Sequence, residues 1–271
     1  MKGKFLLLAL AAMPLVTACE RDAGAIVDPL PPLGFVRYVH GVPNAGGVDL
    51  RMIDRVDFAP FEIGLGYRGI GRYQEAATGQ RRIRMFPRST NIDTASTILL
   101  DSTITVEAGA YYTVLVTGRA GGAPALRFQV FRDSAPTPTG TQFAIRAVHA
   151  GVGVGAVDVF GTRLAADPLP GSPTFGNLTY LNRSIYAAVD TGTFAVRLFG
   201  AGTTTPALVT GTVPAGALGT TGANPVGGTR VPGTALSAFA FAPGDAGSPN
   251  AGVTAPSVVF AVDRRPADTV R

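Results

Sequence analysis

The 271-residue chain has only two histidines, His40 and His149, and both occupy the same setting. Arg37-Tyr38-Val39-His40 is followed by Val48-Asp49, eight residues past the histidine. Arg146-Ala147-Val148-His149 is followed at the same spacing by Val157-Asp158, and the two copies lie 109 residues apart without a gap. Histidine is a common general base and metal ligand, and a neighbouring aspartate would orient it for either role. If the strand carrying each histidine pairs through a turn with the strand carrying the aspartate, each copy can form a His–Asp hydrogen bond. The paired occurrence favours a structural role, in which His40 with Asp49, and His149 with Asp158, tie a hairpin end together with Arg37 or Arg146 as a further partner.

The rest of a catalytic inventory is missing. A metal site needs more ligands per copy, and no His, Cys, Asp or Glu cluster supplies them at a recognisable spacing. No serine stands in a Gly-x-Ser-x-Gly elbow. Gly64-Leu65-Gly66-Tyr67-Arg68-Gly69 has the spacing of a dinucleotide fingerprint. That motif works where a helix N-terminus receives the pyrophosphate, whereas here Gly71 and a strand-like Tyr73 follow, so the glycines are read as turns. No catalytic, cofactor-binding or metal-binding residue is therefore assigned, and no cofactor is expected. Tyr67, Tyr73, Tyr111, Tyr112, Tyr180 and Tyr186 could offer aromatic contacts to a glycan or peptide, although most such tyrosines are structural. Strand alternation puts Tyr111 and Tyr112 on opposite faces.

Cys19 is the single cysteine, which excludes disulfides within the chain. Lys2 and Lys4 form a positive segment, and Phe5 to Leu15 an apolar one too short to span a bilayer. Val16-Thr17-Ala18-Cys19 then resembles a bacterial lipobox, which implies acylation of Cys19, a stable anchor when two or more chains are attached. Glu20 stands where aspartate would signal inner-membrane retention, so an outer-membrane address is expected. Both lysines fall in the signal, leaving 21 Arg against 18 Asp plus Glu, a charge of +3. The arginines are scattered through strands and do not form a nucleic-acid-binding face.

The elements that must position these residues are short strands. Glycine (35) and proline (21) punctuate apolar runs, the composition of an all-β chain. Beyond a signal helix over residues 1–18 and a lipidated, proline-containing tether over 19–33, two tandem Ig-like β-sandwich domains are expected. They cover residues 34–132 and 143–263, joined by a linker at 133–142 and followed by a tail at 264–271. A barrel is the alternative for each. The tether, fully extended, reaches about 45–50 Å. Later landmarks repeat as well: Tyr67, Tyr73, Thr78-Gly79, Arg84 and Phe86 answer to Tyr180, Tyr186, Thr191-Gly192, Arg197 and Phe199 at an offset of 113. The copies diverge after Pro214-Ala215-Gly216, where a Gly/Thr/Pro-rich excursion, Ala217 to Gly233, precedes the strand Ala235 to Phe241.

The Arg-x-Val-His stretch, the Pro/Gly turn, Val-Asp, the tyrosine before Thr-Gly, and then Ala108-Gly109-Ala110-Tyr111-Tyr112-Thr113-Val114 together resemble the DUF4397 domain. The second copy keeps Ala215-Gly216 and loses the tyrosines. The resemblance implies a secreted or lipid-anchored bacterial protein with the domain in tandem, and brings no activity with it. The expected function is that of a non-catalytic, lipid-anchored cell-envelope protein, a binding or structural module. Its expected partners are membrane lipid through Cys19 and a glycan or protein of the envelope, with no nucleic acid. Glycan or small-solute binding, and a metal-dependent envelope enzyme, are the alternatives.

Overall fold

The structure, a computed structural model, describes residues 31–268. The signal helix, Cys19 and most of the tether lie outside them. The first half contains β1 (Leu33–Gly41), β2 (Val48–Met52), β3 (Phe61–Leu65), β4 (Gln74–Ala77), β5 (Gly79–Pro87), a single helical turn α1 (Ile92–Ala95), β6 (Leu100–Val106), β7 (Tyr111–Thr117) and β8 (Arg127–Asp133). The second half contains β9 (Gln142–His149), β10 (Val157–Thr162), β11 (Phe175–Leu178), β12 (Ala187–Asp190), β13 (Ala195–Gly200), β14 (Val209–Thr212), β15 (Ala235–Phe241) and β16 (Ser257–Arg264).

The duplication is complete at the level of topology. The first half pairs its strands as β4-β1-β7-β8 and β3-β2-β5-β6, and the second repeats both orders as β12-β9-β15-β16 and β11-β10-β13-β14. Each half is a β-sandwich of two open sheets, not a barrel. It has eight strands, where a constant-type immunoglobulin domain has seven. In each half the central pair, β1 with β7 or β9 with β15, runs parallel.

Three apolar cores hold four layers together. Val36, Tyr38, Val48, Leu50, Ile83 and Val114 fill the first sandwich, and Phe143, Ile145, Val157, Val196, Leu198 and Leu236 the second. A third core joins the sheets β4-β1-β7-β8 and β12-β9-β15-β16 face to face, through Val39, Leu115, Phe131, Val148, Phe239 and Phe241. The inner strands are therefore covered on both faces, which explains why β15 is buried along its whole length and lacks the apolar–polar alternation of a half-exposed strand. Each aliphatic or aromatic side chain fully buried there contributes about 1.5–3 kcal/mol.

Candidate functional site

Strand β1 splits its side chains between two cores. Val36 and Tyr38 enter the first sandwich, while Arg37 and Val39 face the other half. The same alternation on β9 sends Ile145 and Ala147 inward and Arg146 and Val148 across. Each residue of the repeated stretch then has a distinct task.

His40 closes its own hairpin turn. Val42 N–H donates to Nδ1 at 3.3 Å, and Nε2 lies 2.9 Å from the Gly46 carbonyl. An accepting Nδ1 leaves the proton on Nε2, so the ring is neutral and spans the turn. His149 repeats this with Gly151 N–H at 3.2 Å and the Gly155 carbonyl at 2.9 Å. Tyr67 and Tyr180 meet these rings edge-on. Both histidines are fully buried. Desolvation pushes the His40 pKa down to about 4, and lowers that of His149 for the same reason.

The expected His–Asp hydrogen bonds are not formed. Asp49 accepts from Gly64 N–H at 2.8 Å and pairs with Arg51 at 2.7 Å. Asp158 accepts from Asn177 N–H at 2.7 Å and Gly202 N–H at 2.8 Å. The reason is local geometry. The pairing of β2 with β3, and of β10 with β11, shifts register at the aspartate. Gly64 and Asn177 take left-handed φ values of 67° and 49° opposite it. A bulge leaves a backbone N–H outside the ladder, and the carboxylate supplies its acceptor.

The arginines are not partners of the histidines either. Arg37 Nη2 donates to Asp263 Oδ1 at 2.5 Å, and Arg146 Nη2 donates to Asp133 Oδ1 at 2.5 Å, each pair crossing between the halves. Arg37 Nε donates to Thr113 Oγ1 at 2.9 Å, and that hydroxyl donates to Asp133 Oδ2 at 2.5 Å. Arg146 Nε donates to Ser237 Oγ at 2.7 Å, and that hydroxyl donates to Asp263 Oδ2 at 2.6 Å. The six side chains form a closed ring of hydrogen bonds with approximate two-fold symmetry. The Tyr73 and Tyr186 hydroxyls complete it, donating at 2.8 Å to Asp133 and Asp263, while their rings lie under the Arg37 and Arg146 guanidiniums. Burial alone would push both guanidinium pKa values down, and the neighbouring aspartates more than offset it.

Asp133 and Asp263, read from the sequence as a linker residue and the domain end before the tail, are strand residues at the centre of the molecule. Their signal was present. Asp133 is the final residue and Asp263 the next-to-last residue of the last strand in its half, and a strand arginine set among apolar residues requires a buried acid.

At one mouth of this interface lies a groove of about 1200 Å³, with Phe35, Arg72, Tyr73, Tyr111, Arg264 and Arg265 in its lining. Tyr111 stacks on Phe35 at 4.5 Å and meets Tyr73 edge-on at 5.1 Å. Tyr112 points the other way into the first core, as alternation requires. Among the described residues no group of three His, Cys, Asp or Glu side chains is placed to hold a metal ion. The glycines of residues 64–69 serve a loop that returns beside β1, where Arg68 N–H donates to the His40 carbonyl.

No curated protein matches the sequence. Among the solved structures that match is a leucine-rich repeat protein from Bacteroides thetaiotaomicron, 11% identical over 67% of this chain, with a TM-score of 0.17. The match takes in 24% of that protein's length, and a similarity this low carries no argument. The sequence matches the family described as "Domain of unknown function (DUF4397)" over residues 34–160, from β1 through the Val157-Asp158 pair of the second half. The chain is a DUF4397-containing protein.

Proposed function

We propose that the chain is a non-catalytic, lipid-anchored cell-envelope protein in which two DUF4397 sandwiches, the second a diverged copy, act as one rigid binding module. The observation that carries the rigid-module reading is the closed ring of Arg37, Thr113, Asp133, Arg146, Ser237 and Asp263, whose charge pairs both cross between the halves. A non-catalytic role is supported by the two histidines, each buried, neutral and bonded to its own turn.

The anchor rests on Val16-Thr17-Ala18-Cys19 after a short apolar segment, and the outer-membrane address on Glu20. Acylation of Cys19 would hold the module within the span of a short tether, facing polymers of the envelope. The test is bacterial expression with labelled palmitate. The wild type should incorporate label and sediment with outer membranes, and Cys19→Ser should do neither. Unlabelled wild-type protein, or undiminished membrane association of Cys19→Ser, would overturn the anchor.

A further inference from the structure

The interior of the duplication is symmetric, but the equivalent positions around it are not. Arg37 answers to Arg146, Tyr73 to Tyr186, Thr113 to Ser237 and Asp133 to Asp263, all within the ring and its flanking tyrosines. Phe35 pairs with Tyr111 across β1 and β7, and the equivalent positions on β9 and β15 are Ala144 and Ala235. Arg72, which precedes Tyr73, answers to Ile185 before Tyr186. Arg264 and Arg265 follow Asp263, where Ser134 and Ala135 follow Asp133. Two copies that needed these positions only for folding could keep the same side chains. The groove, to which both halves contribute, instead carries two further aromatic rings from the first half and exposed guanidiniums from each, with Ser134 and Ala135 also in its lining.

We infer that this groove binds an acidic polysaccharide, with sugar rings on Tyr111 and Phe35 and carboxylates on Arg72, Arg264 and Arg265. Tyr111 is 39% exposed and held by its contacts with Phe35 and Tyr73, so it offers a fixed flat surface to the apolar C–H face of a pyranose ring. Arg72, Arg264 and Arg265 are exposed, and a guanidinium fork matches a carboxylate in bidentate fashion. Beneath them the charges are already matched: the ring sets Arg37 and Arg146 against Asp133 and Asp263, so it contributes no excess negative charge to oppose an anion. The volume exceeds the roughly 300–1000 Å³ of small-molecule pockets and suits several linked sugars. The inference rests on the envelope reading for where such polymers are met. Binding by purified protein and membrane release of Cys19→Ser can nevertheless fail independently.

The experiment is calorimetric titration of the full-length chain in non-ionic detergent with hexagalacturonate, maltohexaose and a dodecamer of oligo-dT. Hexagalacturonate should bind saturably at one site per chain, more weakly as salt rises. Arg72→Gln, and Arg264→Gln with Arg265→Gln, should each weaken it about tenfold or more, as loss of a charge-assisted hydrogen bond does. Ile185→Ala, at the position equivalent to Arg72 but outside the groove lining, should leave the affinity unchanged. Tyr111→Ala should also lose affinity, with an unchanged circular dichroism spectrum excluding misfolding. Absence of saturable binding, equal binding of maltohexaose, tighter binding of oligo-dT, or indifference to the arginine substitutions would overturn the assignment.

Discussion

Asp263→Asn is the sharpest probe of the buried ring. The substitution keeps the volume and an oxygen acceptor, so the Tyr186 and Ser237 hydroxyls can still donate, but it removes the charge facing Arg37. That guanidinium is 1% exposed and cannot turn to water for compensation. Breaking one member of a buried ion pair costs about 3–5 kcal/mol. Domains of ordinary size have about 5–15 kcal/mol in total, so about a fifth of the stability or more should disappear. Urea unfolding at pH 7 is the assay, followed by circular dichroism and fitted for the change in midpoint at constant slope. Adding Arg37→Met to Asp263→Asn removes the orphaned cation and should recover part of the loss, so the double variant is more stable than the single one. By the approximate two-fold symmetry, Asp133→Asn should cost the same within about 1 kcal/mol, and the two asparagine variants should combine non-additively because they share the ring. A loss below about 1 kcal/mol for Asp263→Asn, or a double variant less stable than the single, would refute the view that the ring locks the halves together.

The histidines give a pH dependence of definite sign. His40 is held neutral down to about pH 4, while the unfolded chain takes up its proton near the ordinary 6.5. Stability should therefore be full above pH 6.5, fall as pH drops toward 4 and level off below, with roughly 3 kcal/mol from His40 at 1.36 kcal/mol per unit. Urea midpoints measured between pH 7 and 4 should decline less in His40→Gln, and an equal decline in that variant would reject the assignment. Asp158→Ala strips the acceptor from the Asn177 and Gly202 N–H groups and should cost about 1–3 kcal/mol in the same assay. Gly64→Ala, forced to φ 67°, should cost about 1 kcal/mol or more, measured likewise.

Much of the fold was legible in the sequence because its signals are local. Alternation in Val48 to Ile53, the Thr-Gly turns and the repeat spacing needed no knowledge of distant residues, and they locate the strands of both sandwiches. The misread contacts are of two kinds. The His–Asp pairing failed on a bulge, because the extra residue in β3 leaves the Gly64 N–H facing Asp49, whose carboxylate takes it in place of the histidine. For the Arg–Asp pairs the need for a buried acid was legible and its identity was not: Arg37 takes Asp263, 226 positions away, and Arg146 takes Asp133 from the other half, 13 positions away. Nothing in the periodicity of β1 says which of its two buried faces meets another copy of the domain. The groove was half legible, since the tyrosines stood out in the sequence, but their placement beside Arg264 and Arg265 depends on the halves meeting face to face.

That meeting explains why the Arg-x-Val-His stretch persists in both copies. Two apolar sheets packed face to face gain burial energy at many relative offsets, because hydrophobic contact is non-directional. A ring of charged hydrogen bonds is satisfied at one offset only, and sliding by a residue would strand two guanidiniums and two carboxylates in a dry core. The ring adds little net stability compared with apolar side chains of the same volume, so its role is to fix register. Once register is fixed from within, the mouths of the interface are free to diverge. Alanines pair on β9 and β15 where Phe35 and Tyr111 pair on β1 and β7, and aromatic and cationic side chains line the groove. In this duplication the symmetric residues determine how the halves meet, and the residues that break the symmetry mark where the protein meets something else.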